Sequence, residues 1–345
     1  MGLNWGGGVY AWDSARVIAT IVVGFCALVG LVLWECFMKL KEPLVPMKLF
    51  LHWPWVATVI LSGLGQSIYY AFAIVWPQMV AQLYADGESS STTAWLSSVS
   101  GIGWAAGIIT GGLVTTLIRR VKYQCFVAIF LGGLFFGCKS SLSRISFRLA
   151  AMLIIKLVVA TCTPDTKARA CGLVAAGSFF IAWMESLAVT AMTLTAPSQS
   201  ELGTAGGIGG CLRFTITSVA TTVYNVVLTS QRTEEVPRLV PPALIGAGLP
   251  ATSITAFIQG LAVGPSALEQ VPGINANIIA AGSRAYKVAN ANSFRMVFFS
   301  TIAFTGVGLI VSIFLPDLDH LLTDKVAATL GKEKVEGTET ESGKE

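Results

Sequence analysis

Long apolar runs follow one another along most of the chain, separated by short polar connections. Each run approaches the roughly 20 mostly apolar residues that an α-helix needs to cross a bilayer. Because lipid offers the backbone no hydrogen-bond partners, runs of this length must be helical. The pattern therefore predicts six membrane helices, at residues 17–34, 56–76, 94–118, 171–194, 205–228 and 297–315.

A seventh span is expected between Tyr123 and Cys162, where the pattern breaks. Residues 123–137 are apolar but too few for a full crossing. The polar segment that follows carries Lys139, Arg144 and Arg148. If residues 158–162 followed residue 137 directly, the two pieces would make one span of suitable length. Segment 138–157 is therefore foreign to the helix that it interrupts.

A retained intron is the leading interpretation of segment 138–157. Codons for residues 138–140 can contain a splice-donor consensus, codons for Leu157 and Val158 can contain an acceptor, and removing the segment keeps the reading frame. Membrane helices tolerate insertions less well than loops do. Two alternatives stay open: a genuine extra hairpin, and an extra crossing by residues 149–162. The crossing would place Lys156 in the bilayer at a cost of about 2.5–3.5 kcal/mol.

Residues 231–292 form a long segment that contains several prolines and glycines. Proline removes a backbone donor and breaks long helices, so the segment should divide into short pieces. Its apolar residues favour packing of those pieces into a partly ordered external cap, although an insertion without a role is an alternative. Residues 323–345 are charged and lack aromatic side chains, which predicts a disordered tail. The prolines are Pro237, Pro241, Pro242, Pro250, Pro265 and Pro272.

Composition agrees with a polytopic membrane protein, since 54% of the 345 residues are hydrophobic and only 12% are charged. Seven cysteines lie mostly inside apolar runs, where they are expected to be buried and unpaired. Two distant histidines, and the lack of any His/Asp, Cys/His or Ser/His constellation, argue against a metal site or an enzyme. A net charge of +4 without basic runs argues against nucleic acid as a partner.

Basic residues in the short loops predict the orientation. Lys39, Lys41 and Lys48 lie between the first two spans, and a second cluster, Arg119, Arg120 and Lys122, follows the third span. Cytoplasmic loops are enriched in lysine and arginine, so both loops are expected in the cytoplasm. The cap at residues 231–292 and the loop at residues 86–91 are then expected outside, and the tail inside.

Two charged residues lie within predicted spans, which is costly and by default indicates function. Glu185 lies about mid-span, and low-dielectric surroundings disfavour the charged form of a carboxyl group. We expect Glu185 to bind the coupling proton and Arg213 to hold its deprotonated form, if the two side chains converge. In the alternative interpretation, Glu185 only bonds a neighbouring helix and Arg213 snorkels towards the interface or caps a helix.

Further candidates share helix faces with these residues. Arg213, Thr217, Thr221 and Tyr224 recur at helical spacing, after glycines that would let a neighbouring helix approach. In the second span Gln66, Tyr69, Tyr70, Ala73 and Trp76 share a face that suits a bulky, partly apolar ligand. The favoured alternative is that these aromatic residues serve core packing and an aromatic belt at the membrane interface, and it fits Trp76 best. The glycines are Gly203, Gly206, Gly207, Gly209 and Gly210.

Several stretches resemble the fungal fourteen-helix drug:proton antiporter branch of the major facilitator superfamily, in particular its trichothecene efflux pump-like group with the related siderophore transporters. They are LNWGGGVYAWDSARVIATIVVGFCALVGLVLWE, KEPLVPMKLF, YYAFAIVWPQMVAQLY, KYQCFVAIFLGG, ATCTPDTKARA, TVYNVVLTSQ, VPPALIGAGLP and AGSRAYKVANA. Together they cover nearly the whole chain outside residues 138–157.

The resemblance implies an all-α membrane bundle. Residues 1–53 would hold an external loop, a linker helix and a cytoplasmic loop, and residues 54–322 the C-terminal six-helix half, while the N-terminal bundle is absent. Arg119, Arg120 and Lys122 would echo the family's cytoplasmic gating loop, with Gly107, Gly111 and Gly112 allowing close helix contact, although generic small-residue packing explains the glycines as well.

The function implied is proton-coupled efflux of a toxin, drug or siderophore-like compound by a multi-pass protein of the plasma membrane. Its partners would be the lipid bilayer, a small-molecule substrate and protons, with no cofactor. Siderophore uptake, and an incomplete gene product without activity of its own, are the alternatives.

Overall fold

The structure is a computed structural model that describes residues 2–6, 10–38, 45–85, 87–137, 165–197, 201–263 and 271–319. In these ranges the secondary structure is helical, and six helices are long and apolar enough to cross a membrane. All six predicted helices and the all-α membrane bundle are thereby confirmed. The α-helices are α1 (Gly2–Trp5), α2 (Ala15–Phe37), α3 (Lys48–Leu51), α4 (Trp53–Met79), α5 (Ser90–Ile118), α6 (Val121–Gly137), α7 (Lys167–Leu194), α8 (Leu202–Gly246), α9 (Ile254–Val263) and α10 (Ala276–Phe314).

Six of these helices, α4 to α8 and α10, pack into one bundle around a shared apolar core. Helix α7 packs along α4, α5 and α6, and helix α10 packs along α4, α6 and α8. Helix α2 stays apart from the bundle and buries almost none of its apolar surface. A six-helix bundle with one separate helix is the arrangement that the resemblance implies.

Three helices are capped at their N-termini by the side chain of the residue that precedes them. Ser14 accepts from the Val17 N–H of α2, Ser89 from the Thr92 N–H of α5, and Asn275 from the Ile278 N–H of α10. These caps satisfy donors that the first turn of a helix leaves unpaired. Pro54 lies in the first turn of α4, where a missing N–H costs no helix hydrogen bond.

Glycines set the closest helix contact, between α5 and α7. A side chain at Gly107 would overlap the Phe179 carbonyl oxygen, and one at Gly111 would lie 3.2 Å from the Trp183 backbone. The prediction of close contact is confirmed for these two glycines. It is wrong for Gly112, which has nothing within 4 Å because it lies on the other side of α5.

On α8 the structure confirms close packing against a described helix for one of the five glycines. Gly209 lies against Met192 and Val59. The remaining glycines face open space because no described helix covers that side of α8. They are Gly203, Gly206, Gly207 and Gly210.

The prediction that residues 231–292 divide into short pieces is wrong for most of that segment. Helix α8 runs unbroken through Pro237, Pro241 and Pro242, and α10 begins as early as Ala276. A proline leaves the carbonyl four residues earlier without its partner. For the first and third prolines that carbonyl belongs to Thr233 and Arg238, which are exposed and can bond solvent instead.

The extended ends of α8 and α10 build a second, smaller core. At about 1.5 Å per residue, both helices are far longer than the roughly 30 Å of bilayer hydrocarbon. Phe257 of α9 is fully buried between them, close to Leu244 and Gly282. The predicted cap is thus two continued helices and one short helix, packed over Val240, Leu244, Leu249, Phe257, Val271 and Ile278.

Some sequence predictions fall outside the described residues, namely segment 138–157, Lys39 and Lys41, and the tail from residue 320. Of the seven cysteines, four have described side chains, and all four are unpaired. Cys125 is buried, but Cys26 and Cys211 are exposed, so the prediction of burial is wrong for these two. They occupy outward faces of apolar helices, which lipid would cover.

Contacts at the ends of the helices define the two ends of the bundle. At the first end Trp53 donates to the Phe314 carbonyl at 3.2 Å, and the Val121 N–H donates to Asp319 at 3.1 Å. At the second end Lys167 pairs with Glu88 at 2.6 Å. The turn at Arg119 and Arg120 thus lies at the first end, and the Glu88 loop lies at the second.

This arrangement yields a topology prediction. In a chain without native cysteines, Arg120→Cys should react with a membrane-impermeant thiol reagent only after cells are permeabilised, whereas Glu234→Cys should react in intact cells. The reason is that the basic loops at the first end favour the cytoplasm. Glu234 is exposed on the part of α8 that carries the prolines. Labelling of both positions from the same side would contradict the orientation.

Candidate functional site

One of the predicted site residues, Glu185, has a carboxylate that is buried in the bundle. Glu185 lies on α7 and is only 4% exposed. Its neighbours along the helix are apolar, as the sequence FFIAWMESLAV requires. A charge in such surroundings is costly unless it is paired.

Arg213 of α8 supplies the partner. Its Nη1 atom lies 2.9 Å from Glu185 Oε1, and its side chain is about one-fifth exposed. The guanidinium also lies 5.0 Å from the centre of the Phe214 ring. The structure therefore brings together the two charged residues that the sequence placed in different spans.

Helix α4 lies against this ion pair. A side chain at Gly65 would overlap Met184 and would lie 3.8 Å from the Glu185 Cβ atom. Gly65 thus lets α7 approach α4 at the level of the carboxylate. Helix α4 packs extensively on both α7 and α8, which touch each other much less. The ion pair is consequently a polar link between two helices that pack mainly on a third.

The hydrogen bonding of the pair is incomplete. Among the described residues, neither Glu185 Oε2 nor Arg213 Nε has a hydrogen-bond partner. A buried polar group without a partner typically costs about 1–3 kcal/mol. Glu185 Oε2 can therefore accept a hydrogen bond or a proton, and the Arg213 Nε–H can donate a hydrogen bond, without the loss of an existing one.

The predicted face of α4 lies beside this pair. Gln66 is buried, and Tyr69 is half-buried and near enough to Glu185 for the two groups to interact electrostatically. The Tyr69 ring stacks on Trp104 of α5 at 3.8 Å and meets Tyr70 edge-on at 6.0 Å. Sequence reasoning missed Trp104, because nothing in the α5 pattern distinguishes it from a lipid-facing aromatic residue.

Other predicted residues belong to the core. Trp76 is fully buried and donates to the Leu96 carbonyl at 2.7 Å, so the core-packing part of the alternative is confirmed for this residue and the interface-belt part is not. Thr217 donates to the Arg213 carbonyl of its own helix at 2.9 Å. Tyr224 packs on Phe304 of α10, with ring centres 5.5 Å apart. Thr217 and Tyr224 thus lie on the Arg213 side of α8 but serve helix packing.

The predicted gating-loop residues lie at the first end. Arg119 and Arg120 form the tight turn between α5 and α6, and both have positive φ angles, 53° and 51°. Non-glycine residues rarely adopt this conformation. Lys122 follows in the first turn of α6.

A polar cluster near the second end escaped sequence reasoning. Arg232 of α8 donates to Gln78 and Gln82, at 3.3 Å and 3.0 Å, and lies 5.0 Å from the Phe294 ring centre. Asn292 of α10 donates to Glu235 of α8 at 2.8 Å. The cluster ties α4, α8 and α10 together. The available signal was the four-residue spacing of the two glutamines, one helical turn apart after Pro77.

Comparison with known proteins agrees with these features. Residues 1–343 match the family described as fungal trichothecene efflux pump (TRI12). The chain is 28% identical to the MFS-type transporter prx5 of Penicillium rubens, covering 94% of this chain and 56% of that protein. It is 26% identical to the trichothecene efflux pump TRI12 of Fusarium sporotrichioides and 25% identical to that of Trichoderma arundinaceum, covering 94% of this chain and 52% of each relative.

The chain thus spans about half the length of these curated relatives. No solved structure matches it. The family match covers almost the whole sequence, including the six long apolar helices. The chain therefore belongs to the fungal trichothecene efflux pump family of the major facilitator superfamily, and it is a multi-pass integral membrane protein of a transporter family, not an enzyme.

Proposed function

We propose that this chain forms the C-terminal half of a proton-coupled pump that exports a small secondary metabolite across the fungal plasma membrane. The pumps named among its relatives include two trichothecene efflux pumps and a rubrofusarin-specific efflux pump. The compounds in these names are fungal secondary metabolites. We therefore propose a compound of this class as the substrate.

The observation that carries the proposal is the ion pair between Glu185 and Arg213. It joins two membrane helices at 2.9 Å, with the carboxylate almost fully buried. Protonation of Glu185 would remove its charge and weaken the link to α8. A ligand or proton shifts a conformational equilibrium by its differential affinity for the two states. Proton binding at this pair is therefore a physical route from the gradient to helix movement.

Transport would need a second bundle. Alternating access in this superfamily involves rocking of one half against the other around a site near the bilayer midplane. The uncovered glycines on α8 lie near the exposed Phe214. Because glycine has no side chain, a neighbouring helix could approach this face closely. We propose that the other half of the transporter packs at this face, on the same helix as Arg213.

The proposal predicts a difference between the chain alone and a complete transporter. Reconstituted in liposomes with an imposed proton gradient, the 345-residue chain should move a labelled trichothecene no faster than protein-free liposomes. The chain joined to the N-terminal half of the Penicillium relative should export it, because the two halves together enclose the site. Collapse of the gradient with a protonophore should stop export.

Two results would contradict this assignment. Gradient-driven flux through the chain alone would show that half the fold suffices. Export that continues at full rate after the proton gradient collapses would contradict proton coupling. An empty-vector control and a soluble marker trapped in the liposomes exclude leakage as the source of flux.

A further inference from the structure

A groove separates α5 from α6 at the first end of the bundle. Both helices pack along α7 but make little contact with each other, and only the Arg119–Arg120 turn joins them. The space between them has a volume of 280 Å³ and has α7 as its floor. The residues that line it include Arg120, Tyr123, Gln124, Val127, Phe180 and Trp183.

The chemistry of the groove changes along its length. Its floor and sides are apolar, with Phe180 and Trp183 partly exposed between the two helices. Trp183 is held in place by donation to Gln124 Oε1 at 3.3 Å. Arg120 lines the groove at the turn between α5 and α6, and Arg119 and Lys122 lie next to it in the sequence. An occupant therefore needs an apolar part and an anionic end.

The three cations are available for such a ligand. In the described part of the chain, none of them has a carboxylate within ion-pair distance. The Asp319 carboxylate at this end instead accepts the Val121 backbone N–H at 3.1 Å. The rim thus has positive charge that no described acidic side chain neutralises.

We propose that this groove binds one acyl chain of an anionic phospholipid, with the headgroup phosphate at Arg120. The groove volume falls just below the roughly 300–1,000 Å³ of sites for whole small molecules, which suits part of a molecule. Tyr123 and Val127 are exposed on the α6 side, so a lipid can enter sideways from the bilayer. Basic pockets between membrane helices attract the anionic lipids that are enriched in the cytoplasmic leaflet.

Trp183 allows a direct test in the full 345-residue chain. The chain is reconstituted in nanodiscs of phosphatidylcholine that contain brominated phosphatidylserine or, in parallel, brominated phosphatidylcholine. Bromine quenches nearby tryptophans, and the difference between the unmodified chain and Trp183→Phe isolates the groove. We expect Trp183 to be quenched preferentially by the brominated phosphatidylserine.

Arg120→Gln should weaken the apparent affinity for the anionic lipid roughly fivefold, the effect of one cation near a membrane surface. Lys48→Gln is the matched control, because it removes an exposed cation from the first end outside the groove, and should leave the preference unchanged. Val127→Phe, which fills the groove, should reduce the quenching of Trp183 by both lipids. In the unmodified chain, high salt should reduce the preference for phosphatidylserine.

Equal quenching of Trp183 by the two brominated lipids would overturn the proposal. So would a preference for phosphatidylserine that survives both Arg120→Gln and high salt. The salt series uses the unmodified chain, so it decides the question even if a variant folds poorly. Neither outcome depends on transport, so this experiment can fail or succeed independently of the test of the proposed function.

Discussion

Replacing Glu185 with glutamine in the complete transporter should strongly reduce gradient-driven export while ligand exchange at equilibrium persists. Glutamine keeps the shape of the side chain and can still accept a hydrogen bond from Arg213, but it cannot titrate. Coupling free energies are typically about 1–3 kcal/mol, so the gradient-driven rate should fall at least about fivefold. The measurement compares export with and without a pH gradient in proteoliposomes of the two proteins.

Glu235→Gln is a matched control for this experiment. Glu235 is also a buried glutamate on a long helix, 7% exposed, and pairs with Arg238 at 3.0 Å. It lies near the second end, away from the Glu185 pair. The control should retain gradient-driven export. Unchanged pH dependence of export in Glu185→Gln would remove Glu185 from the coupling mechanism.

Arg213 distinguishes coupling from simple packing. Removing one partner of a buried ion pair typically costs about 3–5 kcal/mol, because it leaves a buried charge uncompensated. Arg213→Gln should therefore be less stable than the parent protein, and adding Glu185→Gln should restore much of that loss. If the pair only fixed packing, the stable double variant would still transport with its gradient dependence intact. If the pair couples transport to protons, the double variant should fold but its export should not respond to the proton gradient.

The bundle could be predicted from the sequence because membrane spans depend on local composition. A window of about 20 apolar residues marks a helix whatever its neighbours are. The ends of the long helices could not be predicted in this way. The predicted helix ended at residue 228, and Pro237 was expected to break any continuation, under a rule for interior positions. The carbonyl that Pro237 frees belongs instead to an exposed residue, so solvent can satisfy it.

The candidate site was predictable in its residues but not in its contacts. Glu185 and Arg213 were identified because each is a charge inside an apolar run. Their pairing depends on how α7 and α8 lie against α4, which no local pattern encodes. The same limit applies to Arg232, whose contacts with Gln78 and Gln82 lie about 150 positions away in the sequence.

Glycines illustrate the limit most clearly. Gly107, Gly111 and Gly112 looked equivalent in the sequence, but only the first two face α7. Gly103 faces it as well, so the contacting residues recur every four positions along α5. The four-residue spacing predicts one shared face. Which of two adjacent glycines belongs to a packed face, however, is decided by the position of the neighbouring helix.

This difference gives the last prediction. Gly107→Leu should strongly destabilise the chain, because any side chain there would overlap the Phe179 carbonyl oxygen and would meet the Ala182 Cβ atom at 2.7 Å. A backbone carbonyl cannot move aside as a flexible side chain can. Overpacking typically costs about 1–3 kcal/mol, and occasionally more. Gly112→Leu makes the same chemical change five residues later, where nothing lies within 4 Å, and should be tolerated.

Unfolding of both variants in mixed micelles with increasing sodium dodecyl sulfate, followed by helical circular dichroism, measures the difference. The Gly107→Leu midpoint should shift to clearly lower denaturant, and the Gly112→Leu midpoint should stay near that of the parent chain. Because leucine favours helix over glycine by nearly 1 kcal/mol, propensity alone would stabilise both variants equally. Equal midpoints would therefore mean that α5 and α7 do not pack through Gly107, and the placement of α7, with Glu185 on it, would have to be revised.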